Sequence, residues 1–334
     1  MDTRERTADP IPWLLEAGQP WVRYRTLLDL LDRAEDDAEV IAARADMVSH
    51  PQVSQVVEEA LTWPGYPLTR HNDAKHPLHK LALLADWGLR AGDPGMDRII
   101  AAVMAHQSPE GAFQSVTIVA KAFGGTGEAA RTWMLCDAPT ALYALLKWGQ
   151  GDQPAVRRAV EHLVTLVRDN GWPCASSPAL GKFRGPGRKA DPCPYANLVA
   201  LQALALVPQS QDSPAVRAGV EMLLGHWERR KETKPYLFGM GSDFRKLKYP
   251  CIWYDILHVT DVLSRFPFAR QDPRLQAMVN VIRDKGDSQG RLTPESAWLA
   301  WKEWDFGQKR GPSPTLTLQV LRTAKRMESV SSGL

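Results

Sequence analysis

The chain has 334 residues, of which 44% are hydrophobic and 24% are charged, so it is long enough to bury a large core. Its net charge of +3 is too small to indicate a nucleic acid as the main partner. No apolar run approaches the roughly 20 residues of a membrane span, and the first residues contain acids but no apolar signal segment. Four cysteines do not make a disulfide scaffold, so we expect a cytoplasmic protein with reduced thiols.

The N-terminal part contains two helical patterns that are less regular than those that follow. PWVRYRTLLDLLDR starts at Pro20, and PQVSQVVEEALTW starts at Pro51. Residues 1–50 therefore form a less regular helical part, and residues 51–327 carry repeats. We expect the whole chain, 1–334, to form one domain.

A repeat of about sixty residues is marked by an aspartate shortly before a proline, at Pro94, Pro154, Pro214 and Pro273. Aspartate suits the N-cap of a helix, and proline suits the first helical position. The runs that follow, such as MDRIIAAVMAHQ and AVRRAVEHLVTLV, have apolar residues at helical spacing on one face. These amphipathic helices are expected to form an outer layer.

A second, more apolar helix follows in each repeat. The runs are HKLALLADWGL, TALYALLKWG, NLVALQALALV, DILHVTDVLSRF and PTLTLQVLRTA, starting at His79, Thr140, Asn197, Asp255 and Pro314. Because they are apolar on most faces, they should be buried on both sides. This pattern predicts an all-α fold and favours an α/α toroid, a closed ring of about six helix hairpins, over an open solenoid.

The starts of the inner helices carry polar and sulfur-containing residues at equivalent positions. Cys136, Cys193 and Cys251 each lie four residues before the aligned start of an inner helix. In an earlier repeat the aligned position is His79, with His71 and His76 close by. In a ring, these positions would surround one central cavity, as a funnel-shaped binding site requires.

One turn motif connects the chain to a known superfamily. Gln107, Gly111 and Phe113 form a Gln-x-x-x-Gly-x-aromatic turn, which resembles the repeats of the prenyltransferase and squalene cyclase toroids. The β subunit of the protein prenyltransferases has a basic residue three positions before an Asp-x-Cys zinc pair. Arg188, Asp191 and Cys193 stand in that relation here.

The resemblance implies a zinc site. The family's third ligand is a histidine one repeat later, and this chain has Cys251 at that point. Asp191, Cys193 and Cys251 would leave a fourth position open, as catalytic zinc requires. The alternative is that the cysteines are small buried hydrophobic residues.

Further candidates lie in the loops before the inner helices. We expect Asp255 and His79 to be catalytic, with helix capping or hydrogen bonding as the alternative. The expected ligand-binding residues are cations and aromatic residues that would surround an anionic group; they are Arg184, Arg188, Lys189, Arg245, Lys248, Lys309, Tyr254 and Trp253. The alternative is ordinary solvated loop charge and packing between helices.

The sequence therefore predicts a protein that binds an apolar ligand with an anionic head, of the isoprenoid diphosphate type, in a central cavity. Whether it is an enzyme stays open; an enzyme would be a prenyltransferase-like or cyclase-like transferase or lyase. The DxDD motif of the protonating cyclases does not occur, so that chemistry is not expected. The alternatives are a non-catalytic binder of a small molecule and a helical scaffold for another protein.

Overall fold

The computed structural model of the protein describes residues 9–183 and 185–328. These residues form thirteen α-helices and one two-stranded antiparallel sheet, so the predicted all-α class is confirmed. The helices are α1 Ile11–Leu15, α2 Pro20–Asp29, α3 Ala38–Ser49, α4 Pro51–Ala60, α5 Pro77–Trp87, α6 Met96–Met104, α7 Ala138–Lys147, α8 Pro154–Thr165, α9 Pro194–Leu204, α10 Pro214–Glu228, α11 Ile256–Leu263, α12 Pro273–Arg283 and α13 Pro314–Glu328. None of the helices in these ranges is long and apolar enough to cross a membrane.

The described residues group into two compact units. The middle unit takes Pro51–Gly241 and Ile252–Tyr254. The terminal unit takes the described residues of Met1–His50, Ser242–Cys251 and Asp255–Leu334. That the whole chain forms one domain stays a prediction.

The middle unit has the predicted inner and outer layers. The inner helices lie side by side, with α5 packed on α7 and α7 packed on α9. Each also contacts an outer helix: α4 packs on α5, α8 on α7 and α10 on α9. Every residue of α9 is buried, whereas α8 buries only Val156, Ala159 and Leu163. The difference in burial follows the difference between the apolar and amphipathic sequence patterns.

The terminal unit contains a second set of packed helices. Here α11 contacts α12 and α13, α13 contacts α2, and α2 contacts α3. Helix α3 was not among the predicted helices. It follows the acidic run of residues 35–37, and the Asp37 carboxylate accepts the backbone N–H of Glu39 at 2.8 Å as an N-cap.

The predicted aspartate caps are only partly correct. Asp272 caps α12 and accepts the N–H of Arg274 at 2.8 Å. At α8 and α10 one more residue stands between the aspartate and the proline, so Gln153 and Ser213 occupy the N-cap position. Proline at the first helical position is correct for these three helices, because it tolerates the absence of an N–H there. At α6 the prediction is wrong, since the helix begins at Met96 with Gly95 as its N-cap, after Pro94.

The middle unit also contains a β-hairpin that positions the candidate site. Strands β1 (Ser115–Ile118) and β2 (Ala129–Thr132) pair in antiparallel register. Leu68, in the loop before α5, adds to the free edge of β1. Its N–H donates to Val116 at 2.8 Å, and its carbonyl accepts from Ile118 at 3.0 Å. This pairing fixes the loop that continues to His71.

Candidate functional site

The Asn-Gly-Trp turn after α8 holds the start of α9. The N–H of Cys193 donates to the carbonyl of Trp172 at 2.8 Å. The Asn197 side chain accepts the Trp172 N–H at 3.0 Å and donates to the carbonyls of Trp172 and Cys193 at 2.9 and 2.8 Å. Gly171 has φ of 99°, and a Cβ there would lie 2.4 Å from the Asn197 oxygen. The turn therefore requires glycine, and it places Cys174, two residues after Trp172, near Cys193.

A short backbone pairing brings the loop before α7 to the same place. The N–H of Leu135 donates to the carbonyl of Ala175 at 2.9 Å, and the N–H of Ser177 donates to that of Trp133 at 3.0 Å. Cys136 directly follows the paired residue Leu135. Three loop segments thus deliver one cysteine each to a common point in the middle unit.

The three thiols form a cluster. The side chains of Cys136, Cys174 and Cys193 lie close enough for each thiol to affect the pKa of the other two. Cys136 and Cys193 are buried, whereas Cys174 is partly exposed. Sequence reasoning placed Cys136 and Cys193 at equivalent repeat positions but missed Cys174, which stands outside the repeat register. The feature of the sequence that could have indicated Cys174 is its position two residues after the Asn-Gly-Trp turn.

A histidine–aspartate pair lies beside the thiols. Nδ1 of His71 lies 2.8 Å from Oδ1 of Asp137, and the side-chain exposures are 25% for the histidine and 1% for the aspartate. His79 is buried, and its Nε2 donates to the carbonyl of His71 at 2.9 Å. The expected catalytic His79 is thus placed to position the loop that carries His71. The Oδ2 atom of Asp137 is buried and has no hydrogen-bond partner among the described residues.

The cluster strongly favours a thiolate at Cys174. Hydrogen bonds from Cys136 and Cys193 contribute most to lowering the pKa of the Cys174 thiol to about 3. The charge of His71 lowers this pKa further, and burial opposes the shift. The negative charge is concentrated on one sulfur, because the pKa of Cys136 is raised well above its usual value by its hydrogen bonds to the other two thiols.

The histidine is correspondingly stabilised as a cation. Burial by itself would lower the pKa of His71, but the charge and hydrogen bond of Asp137 outweigh it. The charge of Cys174 acts in the same direction, so the pKa of His71 is raised. Cys174 and His71 interact through their charges, and His71 contacts Asp137, so the unit contains the three kinds of side chain that a cysteine nucleophile with its base and orienting group requires.

A tyrosine and a glycine cover the reactive sulfur. The backbone of Gly185 hydrogen-bonds to Cys174 and helps to lower the pKa of its thiol. A Cβ on Gly185 would lie 2.3 Å from the ring of Tyr236 and 2.9 Å from Cβ of Cys174. Tyr236 has φ of 48°, which is strained for a side chain of this size. The close approach of these segments needs the glycine.

A row of aromatic rings extends from the His71–Asp137 pair through the middle unit. The ring of His71 lies 6.4 Å from that of Tyr195, which lies 4.5 Å from the ring of Trp253. Beyond it, the Tyr254 hydroxyl contacts Nδ1 of His226 at 2.8 Å. Two of the expected ligand-binding residues, Trp253 and Tyr254, thus belong to the same unit as the cysteine cluster.

The residues expected to bind zinc have other contacts. Cys193 belongs to the thiol cluster, whereas Oδ2 of Asp191 accepts the backbone N–H of Arg188 at 3.2 Å. Asp191 and Arg188 line a polar cavity of about 520 Å³ together with residues of α10. Cys251 belongs to the terminal unit. Across residues 9–183 and 185–328, no three His, Cys, Asp or Glu side chains are placed to hold a metal ion. A zinc site at Asp191, Cys193 and Cys251 stays a prediction.

The expected cations are distributed between the units. Arg188 and Lys189 are exposed in the middle unit, whereas Arg245, Lys248 and Lys309 belong to the terminal unit. The ammonium of Lys248 lies 3.6 Å from the ring centroid of Trp298, and burial lowers its pKa. Arg184 lies outside the described residues.

Asp255, the other expected catalytic residue, caps α11 in the terminal unit. Its Oδ1 accepts the N–H of His258 at 2.9 Å, which confirms the capping alternative. Burial raises the pKa of Asp255 to about 7, against the charge of Lys248. Its Oδ2 is buried, and no residue within 9–183 or 185–328 forms a hydrogen bond with it. A general-base role stays a prediction.

Comparison with known proteins adds information about the fold alone. No protein family model and no curated protein matches the chain. A protein from Actinoplanes is similar in structure at 15% identity, covering 92% of this chain and 90% of that one, with a TM-score of 0.45. The type II terpene cyclase MstE from Scytonema is similar at 13% identity, both as a variant in complex with geranylgeranyl dihydroxybenzoate and in the apo form. The TM-scores are 0.41 and 0.40, with 93% and 94% of this chain and 88% of each cyclase chain covered.

The chain is thus an all-α protein of layered helix hairpins that carries a cysteine cluster beside a histidine–aspartate pair.

Proposed function

We propose that this protein is an enzyme that uses the Cys174 thiolate as a nucleophile, with His71 as acid and base and Asp137 as the orienting group. The observation that carries the proposal is the 2.8 Å contact between His71 Nδ1 and Asp137 Oδ1 beside a cluster of three thiols. Structural cysteines are inert when they are fully buried in apolar surroundings. Cys174 is instead partly exposed and lies next to a cation.

The geometry suits acyl transfer from an ester or thioester to water. The thiolate attacks the carbonyl carbon, a carbon–sulfur bond forms, the bond to the leaving oxygen or sulfur breaks, and His71 gives its proton to the leaving group. Neutral His71 then takes a proton from water as the water oxygen attacks the thioester carbon. The acid is released and the thiolate returns. Asp137 keeps the ring of His71 in one orientation throughout.

Alkylation by iodoacetamide tests the nucleophile without knowledge of the substrate. Mass spectrometry identifies the cysteine that reacts, and the rate is followed from pH 4 to 10. We expect Cys174 to react first, with half-maximal rate far below the ordinary thiol pKa of about 8.5. The variant His71→Ala should move this midpoint upward, whereas Cys251→Ser, the matched control at the other partly exposed cysteine, should leave it unchanged. An ordinary midpoint near that of a free thiol would refute the proposal.

The isoprenoid diphosphate ligand and the zinc site remain a second proposal, supported by the family resemblance around Arg188, Asp191 and Cys193. Metal analysis of the purified chain separates the two proposals. One zinc per chain that is lost in Asp191→Asn would support the zinc site and contradict an uncoordinated thiolate at Cys174. A zinc-free chain with a reactive Cys174 supports the cysteine enzyme.

A further inference from the structure

A cavity of about 190 Å³ in the middle unit opens beside His71. Its walls are largely apolar, and they include Leu68, Ile118, Val119, Phe123, Met134 and Phe183. The cavity is separate from the polar one that contains Asp191, and the two have no lining residue in common. His71 belongs to its wall, and the charge of this histidine also acts on the Cys174 thiolate, so one residue connects the cavity to the cysteine cluster.

The β-hairpin and its neighbours build this cavity. Val119, Met134 and Leu180 are buried together, and Phe183 packs against them, so the inner side of the cavity is a packed apolar surface. The pairing of Leu68 with β1 fixes the opposite wall. Phe123 belongs to the lining and is 68% exposed, so part of the cavity wall faces solvent.

The charge on the cavity lining has one sign. Arg70 and His71 belong to the lining, and no aspartate or glutamate of the described residues does. Arg70 is exposed. A ligand with an apolar chain and an anionic or polarised carbonyl head matches this distribution, because the chain leaves water while the head stays near the cations.

We propose that this cavity is a binding subsite for the straight apolar chain of a medium-length carboxylic acid or its ester, with the head group towards Arg70 and His71. Since a water molecule takes roughly 30 Å³ of liquid, the cavity has room for about six groups of this size, and a chain of about six carbons fills it. The inference rests on the proposed function only for the reacting atom, the sulfur of Cys174. The cavity and the charges of its lining residues do not depend on that function.

Calorimetric titration with sodium acetate, butyrate, hexanoate and decanoate tests the subsite. We expect affinity to rise about fourfold for each added methylene up to hexanoate and then to level off. Hexylamine, which has the same chain and the opposite charge, should bind more weakly than hexanoate. Equal affinity for acetate and hexanoate, or no binding of hexanoate, would overturn the proposal.

Two substitutions at exposed lining positions locate the binding. Ala120→Trp should abolish the preference for hexanoate by filling the cavity, and Arg70→Gln should weaken hexanoate by about twofold to fivefold, as expected for an exposed charge. Lys182→Gln, at an exposed cation outside the lining, is the matched control and should change nothing. Hexanoate binding that is unchanged in both Ala120→Trp and Arg70→Gln would contradict this site.

Protection of Cys174 separates the two proposals. Hexanoate should slow alkylation of Cys174 in the wild type and fail to do so in Ala120→Trp. Binding of hexanoate to a chain with an ordinary thiol pKa would support the subsite and refute the cysteine enzyme. A reactive Cys174 that no carboxylate protects would refute the subsite and leave the cysteine enzyme standing.

Discussion

Replacing Asp137 by asparagine removes the charge behind His71 and keeps the side-chain shape. Asp137 is 1% exposed, and its Oδ1 is 2.8 Å from Nδ1 of His71, so the pair is shielded from water on the carboxylate side. A hydrogen bond to a charged group contributes about 1.5–3 kcal/mol. Because one pH unit corresponds to about 1.4 kcal/mol, the loss should lower the pKa of the His71 imidazolium by about one to two pH units.

The measurement is the pKa of His71, followed by NMR of its imidazole ring between pH 4 and 10 in both proteins. At a pH between the two midpoints, His71 should be charged in the wild type and neutral in the variant. Asp191→Asn is the control, because it removes a carboxylate from the loop before α9 that faces the polar cavity instead. An unchanged pKa of His71 in Asp137→Asn would show that the carboxylate does not stabilise the imidazolium, and the proposed role of Asp137 would be wrong.

Three further predictions concern the structure that supports the site. Gly185→Ala should raise the pH midpoint of Cys174 alkylation, because the added Cβ would lie 2.3 Å from a ring carbon of Tyr236. Gly239→Ala is the control and should leave the midpoint unchanged, because Gly239 has open space around it. Equal effects of the two substitutions would refute the close approach. Asn197→Ala leaves buried backbone groups unpaired and should lower the free energy of unfolding by about 2–4 kcal/mol in urea, while Asn170→Ala, which removes one exposed hydrogen bond, should cost less than about 1 kcal/mol. Burial lowers the pKa of His79 from 6.5 to about 4, so in this window the unfolded chain binds a proton that the folded chain does not. The free energy of unfolding should therefore fall by up to about 3 kcal/mol from pH 7 to 4 through this group, and His79→Gln should show a shallower pH dependence; identical slopes would contradict the buried neutral histidine.

The helices and their layering were predictable from the sequence because they follow local rules. An apolar run that covers all faces of a helix, such as that of α9, must be buried, and an amphipathic run such as that of α8 must lie on a surface. The repeat of about sixty residues made the pairing of the layers visible as well. The prediction of aspartate N-caps was less successful, because one inserted residue before Pro154 and Pro214 changes which side chain occupies the N-cap position.

The sequence also determined that Cys136 and Cys193 share a repeat position, and the tertiary structure decided what joins them. Cys174 stands outside the repeat register, and His71 is 66 residues from Asp137 in the chain, so no periodicity connects these groups. Their meeting depends on backbone pairing between loops, on the glycine at 171 and on the hydrogen bonds of Asn197. Local patterns decide which segments are helices and which faces are buried; the pKa of a thiol depends on distances between loops, which only the folded chain fixes.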